Sequence, residues 1–220
     1  MPDFLFEIPH VQDSVSEGST TSIQLGALAG RLSVELRTVV YAPDGRPENV
    51  AEHSNMLSII APTLAEDCFP ELGLDSNLVA RYCPTHDGVE AYVGDTPTHE
   101  IDEEGYKVKA LLEESGIHQL VREYSHRPSF IRVIQEYEEQ IIPETRFVRM
   151  VDKLLPLIAH LNENCAGLIK DGFTADGIRQ NSAEKAALLR ADYPDMECVI
   201  ALREELAELV AQRLELLAEI

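Results

Sequence analysis

The chain has 220 residues, 45% of them apolar, with 18 basic against 39 acidic residues and a formal net charge of −21. This is a globular composition, long enough to bury a core, and not that of a disordered chain. The acidic excess excludes binding of duplex nucleic acid through a broad basic face, and an anionic substrate has to be held by a local metal or a few arginines.

Taken in order, residues 1 to 20 are mixed, and SVSEGSTTS reads as a polar loop ending in helix-capping residues. From Ile23, the positions Leu25, Leu28, Leu32, Leu36, Val39 and Val40 predict a first helix that carries Arg37 and ends near Pro43. APDGRPEN, Ala42 to Asn49, is a turn-rich loop with Pro-Asp-Gly at its centre, where Arg46 has Glu48 and Glu52 as local ion-pair partners. A second helix starts near Val50, with Met56, Ile59, Ile60 and Leu64 as its stripe, and Cys68 to Asp75 is a loop containing Pro70 and Gly73. A third helix from about Ser76 leads into His86-Asp87.

Thr98 to Gly105 is a strongly acidic connection. Helical patterning then covers Tyr106 to Tyr124, pauses at His126-Arg127-Pro128 and resumes to about Gln140. Pro143-Glu144 opens a further helix running through Leu161, in which Pro156 is expected to cause a kink or remove a backbone bond. Gly167 to Asp176 reads as a loop, and Met196 to Ile220 as a long amphipathic helix with Leu202, Leu206, Leu209, Val210, Leu214 and Leu217 on one stripe. That stripe is core, or a seam between copies in a homo-oligomer. Strand signals are nearly absent, so the expected architecture is all-α: one bundle-like domain, core about 25–165, with a C-terminal helical extension about 173–220.

The four cysteines, Cys68, Cys83, Cys165 and Cys198, lack CxxC spacing and lie in apolar helical patterns, as buried free thiols of a reducing compartment do. No apolar run reaches membrane-spanning length, and MPDFLFEIPH lacks a signal peptide's basic start and apolar core. A soluble, cytoplasmic protein without a membrane partner is expected.

The chemistry concentrates in YCPTHDGVEAYVGDTP, Tyr82 to Pro97. If the segment is helical, at about 100° per residue, Glu90 projects between His86 and Asp87. Imidazole nitrogen with hard carboxylate oxygen is a divalent-metal donor set, and a further carboxylate there is placed to orient or deprotonate a water. Two other segments add to it. RPENVAEHS puts His53 in the opening turn of the second helix, and in VRMVDKLL Asp152 interrupts an apolar face where it is costly to bury alone. His53, His86, Asp87 and Asp152 thus come from three helices and leave two positions of an octahedron open, as a catalytic site does.

This spaced set, H…HD…D, resembles the HD-domain phosphohydrolases, and most closely their 5′-deoxynucleotidase branch. RPENVAEHS is similar to the segment around the first His, HDGVEAYVGDTPT to the HD segment with trailing Glu and G-D-x-P-T, and VRMVDKLL to the segment of the final Asp. The resemblance covers about residues 25 to 165. It implies an all-α fold and a divalent transition metal (Co, Mn, Zn or Fe, with Mg also admitted) on His53, His86, Asp87 and Asp152. It also implies a catalytic role for Glu90, and for Asp95 a place near the sugar and the scissile phosphate, followed by Thr96. The branch carries an Arg-Trp pair before the first His. This chain has no Trp, and Arg37, followed by Thr38, is the candidate phosphate clamp.

The resemblance implies hydrolysis of deoxynucleoside 5′-monophosphates, a small-molecule nucleotide partner. One alternative is a dATP-type triphosphohydrolase, for which Lys107, Lys109, Arg122 and Lys153 are possible holders of the longer phosphate chain. Another is a non-catalytic nucleotide sensor, against which the presence of Glu90 and Asp95 argues. His118 and His126 lie where binuclear relatives place extra ligands but read as surface histidines.

Overall fold

The structure is a computed structural model that describes residues 15–95 and 103–218, with side chains left undescribed at 38–41, 103, 104 and 106. Thr96, the opening residues 1–14 and the acidic connection at 98–102 lie outside the described residues. The chain is helical apart from one two-stranded antiparallel hairpin among the described residues.

Helix α1 runs Glu17–Val34, so the polar EGSTTS is helix and not loop. Ser16 starts it by accepting the Ser19 N–H, and the hydroxyls of Thr20, Thr21 and Ser22 fold back onto carbonyls one turn earlier. It also stops earlier than periodicity predicts. Leu36–Tyr41 is strand β1, paired with β2 at Pro47–Asn49, so Arg37 lies on a strand and not on the first helix. Two features favour the strand and its pairing. Thr38, Val39, Val40 and Tyr41 are β-branched or aromatic, and the Pro-Asp-Gly turn, with Gly45 at φ 83°, folds the chain back so that the Ala42 N–H meets the Arg46 carbonyl at 2.8 Å.

Helix α2, Val50–Thr63, begins at a capping box in which Asn49 and Glu52 satisfy each other's backbone N–H. This fixes the phase of the helix, and Val50, His53, Leu57 and Ala61 fall on its buried stripe. A π-type turn over Leu64–Cys68 and a 3₁₀ turn over Pro70–Leu72 lead to α3, Ser76–Tyr82, capped by Asp75. The next stretch is not a continuous α-helix. A 3₁₀ turn over Cys83–Thr85 and successive turns through Val89 precede the short α4, Glu90–Val93.

Helix α5, Glu103–Glu123, crosses α4 closely. Buried Gly116 makes the crossing possible, since a Cβ there would stand 2.8 Å from Val89 Cγ1 and 2.9 Å from Val93 Cγ1. The Gly116→Ala variant is therefore expected to melt a few degrees below wild type. Overpacking costs about 1–3 kcal/mol, against about 1 kcal/mol gained in helix propensity. An unchanged melting temperature would show that the crossing relaxes freely.

Helices α6 (Pro128–Glu139) and α7 (Pro143–Asp152) each carry proline in the first turn. Pro156 does more than kink a helix. Its ring cannot coexist with a helical Asp152 carbonyl, so α7 ends at Asp152 and α8 begins afresh at Leu155–Asn162. The predicted loop Gly167 to Asp176 holds most of α9, Ala166–Lys170, and the start of α10, Ala175–Asp192, which is followed by the final α11, Glu197–Ala218.

The main core joins Leu57 and Ala61 of α2, Val79 and Tyr82 of α3, and Phe147, Val148 and Val151 of α7 to Ala186, Val199 and Ile200 of α10 and α11. The buried face of α11 is Val199, Ile200, Arg203, Ala207, Val210, Ala211 and Leu214; of the predicted stripe Leu202, Leu206 and Leu217 also pack against the core and Leu209 is exposed, so the stripe is used largely within the chain. Cys83 and Cys165 are buried free thiols, whereas Cys68 is exposed and Cys198 half-buried, contrary to expectation, because the turn ending at Cys68 lies at the surface. Among the described residues no helix is long and apolar enough to cross a membrane.

Candidate metal centre

The four predicted ligands come together. Each of His53, His86, Asp87 and Asp152 offers one donor atom within 4.8 Å of the other three. His53 comes from the first turn of α2, His86 and Asp87 from the turns after α3, and Asp152 from the last residue of α7. His53 Nε2 is 2.8 Å from Asp152 Oδ1 and 3.7 Å from Asp87 Oδ2, while His86 Nε2 is 3.0 Å from Asp87 Oδ2 and 3.8 Å from Asp152 Oδ1.

These residues fit a cation on three grounds. The His86 Nδ1–H donates to the Cys83 carbonyl at 2.8 Å, which leaves the buried Nε2, facing Asp87 Oδ2, as the lone-pair nitrogen of the neutral ring. Two carboxylates converge there, and one of them, Asp152, sits at a helix C-terminus, where the macrodipole disfavours negative charge. The donors are nitrogen and hard oxygen.

The charges are strongly coupled. Burial works against the His86 imidazolium, but Asp87 and Asp152 outweigh it and raise the pKa to about 10 in the cation-free centre. Burial also opposes ionisation of Asp87 and Asp152, yet His86 holds the first, and Lys153 with His53 the second, below the usual carboxylate range.

Glu90 behaves in the opposite way. Burial first, then the Asp87 field, pushes its carboxyl up to about 9, and its buried Oε2 has no hydrogen-bond partner among the described residues. It stands outside the quartet but close enough to exchange field with Asp87, Arg37, Asp95 and His86. Asp95 is half-buried in the turn after α4, its N–H directed at Glu35 Oε1 at 3.4 Å.

Arg37 does reach the centre, from β1. Its Nη1 donates to Asp87 Oδ2 at 3.2 Å, and burial, which opposes its charge, is outweighed by Asp87 and Asp152. Lys153 Nζ, half exposed, donates to Asp152 Oδ2 at 2.7 Å. His118 is exposed beside Glu114, and His126 is exposed and bonded to Gln24, as expected of surface histidines. Lys109 faces Glu113 on its own helix, at 3.5 Å.

Sequence reasoning missed the place of Glu48. Arg46 does pair with Glu52 and Asp44, but Glu48 turns inward, 3.5 Å from His53 Nδ1 and 3.8 Å from Arg37 Nε. The signal for this was the strand alternation, which buries Glu48 between the exposed Pro47 and the half-buried Asn49.

Among solved structures, the chain is similar to a predicted metal-dependent phosphohydrolase from Magnetospirillum magnetotacticum MS-1. The identity is 24% and the TM-score 0.63, over 86% of this chain and 95% of that one, a likeness of fold. It is also similar to a conserved hypothetical protein from Pyrococcus furiosus, with 25% identity and a TM-score of 0.48 over 66% of this chain and 84% of that one. No curated protein matches. A family model described as HD domain matches residues 29–188, a span holding the whole quartet, Glu90 and Arg37. The chain belongs to the HD-domain family.

Proposed function

We propose that the protein is a metal-dependent phosphohydrolase that cleaves deoxynucleoside 5′-monophosphates to deoxynucleoside and phosphate. The observation that carries this reading is the convergence of the quartet, with the Arg37 guanidinium bonded to Asp87 and the Glu90 carboxyl within the field of Asp87. His53, His86, Asp87 and Asp152 would hold a divalent cation, which would supply Lewis acidity toward the phosphate and make water more acidic. Arg37 presents a planar donor pair suited to phosphate oxygens. Glu90, with a carboxyl near its proton-exchange range, holds or accepts a proton from the attacking water. The water oxygen joins phosphorus, the P–O5′ bond breaks, and the departing oxygen takes up a proton, a transfer for which Asp95 is the candidate.

Charge favours the monophosphate over the triphosphate reading. Arg37 and Lys153 are each offset by the quartet carboxylate they reach, and the dication that remains matches a phosphate monoester of charge about −2 near neutral pH. The test is product analysis across deoxy- and ribonucleoside mono-, di- and triphosphates with Mn²⁺ or Co²⁺. Inorganic phosphate and deoxynucleoside from the monophosphates are expected. Release of triphosphate, or binding without turnover, would overturn the reading.

Arg37→Ala should lower kcat/KM by about ten-fold or more, since a charge-assisted contact contributes about 1.5–3 kcal/mol. Steady-state kinetics within two-fold of wild type would place the clamp on another residue.

A further inference from the structure

Glu48 is a carboxylate with no place in the reaction described above, yet it is only 3% exposed. Its Oε2 has no hydrogen-bond partner among the described residues and lies 3.5 Å from His53 Nδ1 and 3.8 Å from Arg37 Nε, a buried donor also without a partner among them. Burying a carboxylate is costly unless the position gives it something to act on.

The geometry of His53 says what that is. Its Nε2 faces the quartet, 2.8 Å from Asp152 Oδ1. A histidine that ligates through Nε2 presents its lone pair there, so its proton must sit on Nδ1. The carboxylate oxygen that faces Nδ1 is Glu48 Oε2, at 3.5 Å. The other histidine is backed differently, its Nδ1 lying 2.8 Å from the Cys83 carbonyl. A carbonyl offers a dipole, whereas a carboxylate offers a full charge, which makes the imidazole a stronger donor and fixes the plane of its ring. The same oxygen also faces the guanidinium assigned to phosphate.

We propose that Glu48 is a positioning residue that fixes His53 as an Nε2 ligand and, through Arg37, ties the metal centre to the phosphate clamp. The proposal rests on the reading of the quartet as a metal centre. If Glu48 served only to hold Arg37 in place, its loss would raise KM and leave metal affinity unchanged.

The test is calorimetric titration of the full chain with Mn²⁺, comparing wild type with the near-isosteric Glu48→Gln. Folding is followed by circular dichroism before metal is added. Glu48→Gln should bind Mn²⁺ about 10–100-fold more weakly. Glu48→Asp, which keeps the charge, should recover part of the loss. Affinity of Glu48→Gln within two-fold of wild type would overturn the proposal.

A second readout needs no variant. In ¹⁵N-histidine spectra of the Zn²⁺-loaded wild type, His53 should carry its proton on Nδ1, and a proton on Nε2 would overturn the assignment. A wild type that binds neither ion would overturn the metal reading and this proposal together. A wild type that binds, with Glu48→Gln unchanged, would overturn this proposal alone.

Discussion

Replacing Glu90 by glutamine is expected to lower kcat by on the order of 10²–10⁴ while bound metal and nucleotide affinity stay near wild type. The expectation follows from where the side chain stands. Glu90 begins α4, one turn beyond His86 and Asp87, and is not among the four residues whose donor atoms converge. Its Oε2 is buried without a partner among the described residues, and burial together with Asp87 raises its carboxyl to about 9. A cation at the quartet opposes the Asp87 contribution, bringing the group nearer the pH at which it exchanges protons with water. Glutamine keeps the volume and the polarity and removes only the exchangeable proton. Metal content, nucleotide affinity and single-turnover rate, measured on the same preparation, separate the roles. Wild-type turnover, or loss of metal with activity, would show that Glu90 does not do this chemistry.

Asp152→Ala is expected to lose metal and turnover together, to background. Asp152 ends α7 because Pro156 forbids another helical turn, and its Oδ1 is 2.8 Å from His53 Nε2 while Oδ2 takes the Lys153 ammonium at 2.7 Å. Alanine removes one donor of four and leaves His53 Nε2 without its nearest partner. Metal analysis after gel filtration, beside a kcat assay at saturating Mn²⁺, checks this. Retained metal with lost activity would make Asp152 a substrate contact instead of a ligand.

The parts of this site that were legible in the sequence share one property: they are set locally. The capping box of RPENVAEHS fixes where α2 starts and hence that His53 lies on the same stripe as Val50 and Leu57. Asp152 betrays itself as an acid amid Phe147, Val148 and Val151. The adjacency of His86 and Asp87 survives even though the segment forms turns instead of a continuous helix, because His86 and Val89 keep αR dihedrals.

What was missed depends on pairing at a distance. Leu36, Val39 and Val40 fit a helical period equally well. They become strand because β2 supplies hydrogen-bond partners across a turn, a contact that periodicity does not contain. The inward turn of Glu48 depends on that same pairing. The leucines of α11 marked one margin of its buried face, Leu202, Leu206 and Leu217 packing against the core, while the centre of that face is built largely from Val, Ala and Ile.

The number of ions held per chain tests the account most directly. Wild-type protein equilibrated with excess Mn²⁺, freed of unbound metal and measured by plasma mass spectrometry should hold one ion per chain, and Asp87→Ala should hold none. Two tightly held ions in the wild type, or an unchanged count in Asp87→Ala, would contradict a single centre built from His53, His86, Asp87 and Asp152.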